Sequence, residues 1–179
     1  GDNNEFSFLP SRYADTYSDR VALNILKHNQ PNFKEYSYLD RGSDERQYCS
    51  PGIDLPIASI MRTKYGQYPE YHTSLDNLEF VCPAGLEGSL GIYKECIELI
   101  ERNNKYRVRC LGEPQLGKRG LYPTLSMKGS GADVRDMMNF IAYADGKNDL
   151  LDISDIIGIP IRRMYPIIEK LLENDLLDV

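Results

Sequence analysis

The chain has 179 residues, enough for one domain or for one and a half. With 41% hydrophobic and 27% charged residues it is close to the globular average, which excludes wholesale disorder. A net charge of -6 argues against a general polyanion binder, because nucleic-acid affinity rests on Lys and Arg meeting phosphates. No apolar run approaches the roughly 18 to 20 residues that cross a bilayer, and residues 1–8 are too acidic and polar for a signal peptide. The reading is a cytoplasmic protein with no membrane partner. Cys49, Cys82, Cys96 and Cys110 are scattered without a CxxC pair, and are read as reduced and mostly buried.

Residues 1–11 lead directly into residues 18–29, where Ser18 can cap a helix with an apolar stripe of Val21, Ala22, Ile25 and Leu26. Residues 35–39 are rich in Tyr and read as a short strand; residues 56–61, nearly all apolar, read as a strand covered on both faces. After an aromatic loop from Tyr65 to Pro83, a helix is expected over residues 86–103, with Leu90, Tyr93, Cys96, Ile97 and Ile100 at helical spacing. Helix, strand, loop, strand, loop, helix is α/β order. Sheets of that class place ligands in the crevice beyond the carboxyl ends of their strands, here the loops starting at Asp40 and Arg62.

Residues 106–110 alternate like a half-exposed strand, and residues 111–131 are rich in Gly and Pro and read as a crossing segment. The tail changes character. A helix over 133–144, a turn at Asp145-Gly146, a short helix over 151–157, a turn at 158–160, a helix over 161–174 and the start of a strand at Leu176-Leu177 follow the order of a winged helix. The expected domains are therefore an α/β portion at 1–110, a linker at 111–132 and a winged-helix-like domain at 133–179. From Asp133 to Val179 there are five basic and ten acidic residues, a net of -5 that favours packing or dimerisation over reading DNA. No nucleic-acid partner is expected, and the reading leaves room for a homo-oligomer.

Two loops hold the densest chemistry. Asp40-Arg-Gly-Ser-Asp-Glu-Arg46 places three carboxylates and two guanidiniums around a glycine, and Tyr71-His-Thr-Ser-Leu-Asp76 sets an imidazole near a carboxylate. A neutral imidazole ligates zinc when its other nitrogen is fixed by a carboxylate or carbonyl. Each pattern also suits an ordinary surface loop or a structural histidine.

Together they resemble a known family. Gly42-Ser-Asp44, an aromatic, Gly52, the apolar run 56–61 and Tyr71-His-Thr-Ser-Leu-Asp76 are similar to the closing third of the co-catalytic zinc aminopeptidases. That family shows a Ser-Asp loop, a Gly-aliphatic-Pro lead into a strand, and an aromatic-His-Thr-x-x-Asp motif whose His ligates zinc. Residues 39–52 and 110–123, with the helical tail, resemble one bacterial branch more closely: aminopeptidase-like proteins with a C-terminal winged helix, often filed under polysaccharide biosynthesis. The resemblance implies a C-terminal part of a three-layer zinc-peptidase-like α/β domain followed by a winged helix. It implies His72 as the last metal ligand, Asp76 behind it or capping a helix, and Asp2 near the place of the family's third carboxylate ligand. Asp44, with Glu45 and Arg46 beside it, would shape the substrate side of the cleft.

The departures limit the role of this chain. The family's first His ligand, bridging carboxylate and paired glutamates have no counterpart in the sequence, and other members often carry His where Glu45 stands, so no catalytic base is assigned. His28, at a helix end beside Lys27, reads as a solvated residue. A catalytic zinc needs about three protein ligands and an open position. The expected function is a share of a zinc-dependent hydrolase that cleaves an N-terminal residue or aminoacyl amide from a peptide or aminoacyl substrate, inactive as this piece. The alternatives are a winged-helix nucleic-acid-binding regulator and a non-catalytic accessory protein of polysaccharide biosynthesis.

Overall fold

The computed structural model describes residues 5–122 and 130–179. The chain divides into two compact units, Gly1–Ile100 and Glu101–Val179.

In the first unit, β1 (Ser7–Leu9) is buried along its whole length and lies at the centre of a three-stranded sheet. Sequence reading found no strand here, since three residues carry almost no period-two signal. A short turn leads to α1 (Tyr17–Asn29), whose buried Val21, Ala22, Ile25 and Leu26 are the predicted stripe. Its cap is Thr16 and not Ser18: Thr16 and Asp19 form a reciprocal capping box, while the Ser18 hydroxyl donates to the Pro56 carbonyl. β2 is only Lys34–Glu35, parallel to β1. The expected strand over 35–39 stops there because Ser37 caps a 3-10 turn at Tyr38–Asp40. α2 (Glu45–Tyr48) is a single turn, and β3 (Ser59–Met61) pairs antiparallel to β1. The sheet order is β2-β1-β3.

The antiparallel β3 overturns one expectation. The chain leaves β2 and β3 at opposite ends of the sheet, so the loops that follow them are not neighbours by virtue of parallel strand ends.

α3 (Pro83–Arg102) buries Gly85, Ile92, Cys96 and Leu99. Of the predicted stripe only Cys96 is buried; Leu90, Tyr93, Ile97 and Ile100 are exposed. α1 and α3 meet where the Asn29 amide donates to Glu95 at 2.9 Å, and the Tyr93 hydroxyl donates to the Ile60 carbonyl of β3 at 2.6 Å. Of the four cysteines, all free, Cys49 and Cys96 are buried, and Cys82 and Cys110 are half-buried.

In the second unit β4 (Lys105–Val108) is the central strand of a sheet ordered β5-β4-β6, antiparallel to both neighbours. Sequence reading set this strand with the first domain; its ladder places it with the second unit. A 3-10 turn at Leu116–Arg119 buries Leu116 inside the segment read as a linker, and residues 123–129 of that segment lie outside the described residues. α4 (Ser130–Tyr143) leads into β5 (Asp145–Asp149), where a turn was expected: Gly146 takes a φ of +81° within a strand held by β4. α5 (Leu150–Ile157), capped by Asp149 and ended by Gly158 at φ +69°, then α6 (Ile161–Glu173) and β6 (Leu177–Asp178) complete the helix-turn-helix. Its core packs Tyr106, Phe140, Leu150, Leu151, Met164 and Leu171, all buried. The fold is thus mixed α/β with two small sheets. Among the described residues no helix is long and apolar enough to cross a membrane.

Candidate functional site

The two loops singled out in the first unit are joined by one buried carboxylate. Glu45 opens α2 with its side chain folded back, and its Oε1 accepts from the Gly42 N–H at 2.8 Å and the Ser43 N–H at 3.0 Å. It also accepts from the Tyr65 hydroxyl at 2.6 Å, twenty residues further on. Burial pushes the Glu45 carboxyl up, but the hydrogen bonds from Tyr65, Ser43 and Gly42 outweigh it and hold the group below the usual carboxylate range. The partner responds in the opposite direction: burial, then the bond to Glu45 and its charge, push Tyr65 up to about 12. The Lys64 ammonium, also buried, sits 3.9 Å from the Tyr65 ring centre. Gly42 is required by the same packing, since a Cβ there would stand 2.8 Å from Tyr65 Cε2.

From Tyr65 the contact continues to the histidine. The rings of Tyr65 and Tyr71 lie 6.4 Å apart, and Tyr71 stacks on His72 with centroids 3.9 Å apart and planes 17° from parallel. Tyr68 meets Tyr71 edge-on at 5.5 Å and stacks on Phe80 at 5.3 Å. His72 is exposed, and its backbone φ of +59° is left-handed, a conformation disfavoured for residues other than glycine. Asp76 is exposed and lies close enough to Tyr68 that, after burial, its charge is the main cause raising the Tyr68 hydroxyl pKa. It caps no helix, because the chain stays in turns until Pro83.

Of the predicted substrate-side residues, Asp44 and Arg46 are exposed, and Glu45 is committed to the loop's own hydrogen bonds. Sequence reading did not find Tyr65 or Lys64, which carry the link between the loops. A pairing across twenty residues leaves no periodic trace, and only the density of tyrosines between 65 and 71 hinted at an aromatic cluster. Among the described residues no three His, Cys, Asp or Glu side chains lie close enough to hold a metal ion. Asp2 lies outside the described residues. Among the described residues the histidine loop therefore offers a metal ion a single exposed imidazole, that of His72, which could serve as one ligand.

In the second unit Arg162 and Arg163 stand at the head of α6, the end of a recognition helix from which phosphate and base contacts are made. Arg163 is held by Asp136 at 2.5 Å and lies 3.7 Å from Asp133, both on α4. Further along α6, Arg102 sits over the Tyr165 ring at 4.5 Å and pairs with Glu169 at 3.6 Å.

A mixed α/β unit with a loop-borne histidine, followed by a helix-turn-helix unit, is the class of protein these two units define. Residues 1–103 match the family described as a domain of unknown function (DUF4910), and the chain belongs to it. Residues 104–179 match the winged helix-turn-helix. The chain is 38% identical over 184 aligned positions to a Clostridium acetobutylicum protein provisionally named for polysaccharide biosynthesis, with an aminopeptidase-like domain. It is also similar to the crystal structure of a provisionally named peptidase from Clostridium acetobutylicum, with a TM-score of 0.85 and 35% identity over 99% of the chain. The chain spans 41% of the length of the first and 39% of the second.

Proposed function

We propose that this chain is the carboxyl-terminal part of a zinc-dependent aminopeptidase-like hydrolase that releases an N-terminal residue or cleaves an aminoacyl amide. The observation that carries the reading is His72. It is an exposed imidazole on a left-handed backbone, backed by a stacked tyrosine, in a chain alignable along 99% of its length with an aminopeptidase-like relative. On this reading the short mixed sheet is completed to a three-layer domain, and the remaining ligands supplied, by polypeptide outside these residues, with Asp2 as a further carboxylate ligand. Zinc, when bound, supplies Lewis acidity toward the scissile carbonyl. His72 contributes one nitrogen to it, and Asp76, four residues on in the same loop, supports that imidazole from outside the metal's own ligands. Asp44, exposed at the head of α2, attracts the free ammonium of a peptide or aminoacyl substrate, flanked by Arg46. Glu45, through its Oε1, holds the Gly42–Ser43 backbone and Tyr65 so that the two loops keep one geometry on the substrate side of the cleft. The setting is cytoplasmic, and the chain alone is inactive.

The test is His72→Ala in the longer polypeptide. Bound zinc, read by elemental analysis, should fall to below about a tenth of the wild-type content, because one of about three protein ligands is gone. Hydrolysis of an aminoacyl anilide should fall with it. Unchanged zinc content sinks the assignment.

The helix-turn-helix match favours a second reading, a nucleic-acid-binding regulator. The charges lend it no help: residues 104–179 hold eleven basic and eleven acidic residues, a net of zero, and Arg163 is already bound to Asp136 and Arg109 to Asp175 and Asp178. We expect no gel shift of duplex DNA near physiological salt at protein concentrations below about 10 μM, weaker than non-specific binders commonly show. A salt-dependent shift in that range would move the module into the regulator class.

A further inference from the structure

α3 carries two apolar faces, and the first unit uses one of them. Ile92, Cys96 and Leu99 are buried. Leu86, Leu90, Tyr93, Ile97 and Ile100 remain 63%, 53%, 46%, 58% and 48% exposed. These five recur at intervals of four, three, four and three residues, so at about 100° per residue they fall in a strip roughly 80° wide along one side of the helix. Alternating steps of four and three are the spacing by which one helix receives the side chains of another. The strip is held in place as well, because the hydroxyl of its central Tyr93 is anchored on the Ile60 carbonyl.

The size of the strip says what kind of partner covers it. Five half-exposed side chains offer roughly 400 to 500 Å², whereas a stable specific complex buries about 800 Å² on each partner. The strip spans only two heptads, roughly 21 Å of helix, short of the three or four that sustain a free-standing coiled coil. A second copy or a separate protein would also have to offset lost translational and rotational freedom, which a helix of the same polypeptide does not. Such a helix has a source: a relative that matches this chain along 99% of its length has more than half of its own length beyond the match.

We infer that the strip from Leu86 to Ile100 is the seat of an amphipathic helix of the same longer polypeptide, packed lengthwise against α3. The inference rests on the reading that this chain is part of a larger hydrolase, and it names the face by which the two parts form one folded body.

The experiment compares this chain with the longer polypeptide. Leu90→Cys is labelled with a maleimide and followed by peptide mass spectrometry; the new thiol should react at least about tenfold more slowly in the longer polypeptide, where local opening must precede reaction. Ile97→Lys should leave the Tm of this chain within about 2 °C and lower that of the longer polypeptide by about 5 °C or more, since a charge is buried only in the second. Equal labelling in both proteins overturns the inference. So does a stable dimer of this chain that Ile97→Lys dissociates in sedimentation, which would give the strip to a second copy. Zinc content measured on the same samples separates the two readings. A protected strip without zinc refutes the metal assignment alone, and an open strip with zinc refutes this inference alone.

Discussion

Asp19→Ala should cost the first unit about 3 kcal/mol of stability, one of the two largest single-residue losses we expect from removing a side chain of this chain's polar network. Asp19 is fully buried, and its two oxygens are surrounded by donors. Oδ1 accepts from the Ser11 N–H at 2.7 Å, and Oδ2 accepts from the Ser11 hydroxyl, from the Thr16 N–H at 3.0 Å and from the Thr16 hydroxyl at 2.6 Å. These bonds fasten the segment that leaves β1 onto the first turn of α1, where a carboxylate also faces the positive end of the helix. Alanine leaves the buried Ser11 N–H and hydroxyl and the half-buried Thr16 N–H without their acceptor, and the Asp19 half of the capping box is lost with them. The measurement is amide exchange of α1 in the variant and the parent chain, which reports opening of the first unit apart from the second. A loss below about 1 kcal/mol would show that water or a rearranged Thr16 replaces the carboxylate.

That network was only half legible in the sequence. Thr16-x-x-Asp19 is a capping box, yet Ser18 offered a competing cap two residues later, and the long-range bond from the Ser18 hydroxyl to Pro56 has no local signature. The helix-turn-helix was the most readable part, because α4, α5 and α6 carry strong helical periods and the turn between the last two is marked by Gly158 and Pro160. Strands of two or three residues were misplaced or missed, since so short a run cannot show alternation. α3 shows the limit of periodicity itself. Its sequence contains two apolar stripes side by side, and spacing cannot say which of them meets the core of the same unit. The histidine loop was legible as a motif, whereas Tyr65, which ties it to the Glu45 loop, was not, because the partners are brought together only by the fold.

That tie can be weighed by itself. Glu45→Ala should destabilise the first unit by about 2 to 3 kcal/mol, leaving the Gly42 and Ser43 amides and the Tyr65 hydroxyl without their shared acceptor. Tyr65→Phe should cost about 1 kcal/mol, the worth of one hydrogen bond to a charged group less the ring packing that phenylalanine keeps. The double variant should cost less than the sum, because each single change already removes the bond the other reports. The pH dependence follows from the two shifts and has opposite signs. Glu45 titrates lower in the folded chain than unfolded, so its contribution is fully present above the ordinary carboxyl value of 4.5 and is lost as pH falls through the folded one. Tyr65 titrates higher when folded, so its contribution is present below the ordinary value of 10.0 and is lost as pH rises toward about 12. In Glu45→Ala the acid window should be lost and the alkaline one only narrow, since burial still raises Tyr65, whereas Tyr65→Phe should abolish the alkaline one and leave part of the acid one, since Gly42 and Ser43 still donate to the carboxylate. Denaturation followed from pH 3 to pH 12 decides it. An acid window unchanged in Glu45→Ala would mean that another carboxylate holds the loop, and that Tyr65 reaches the His72 loop without the help of Glu45.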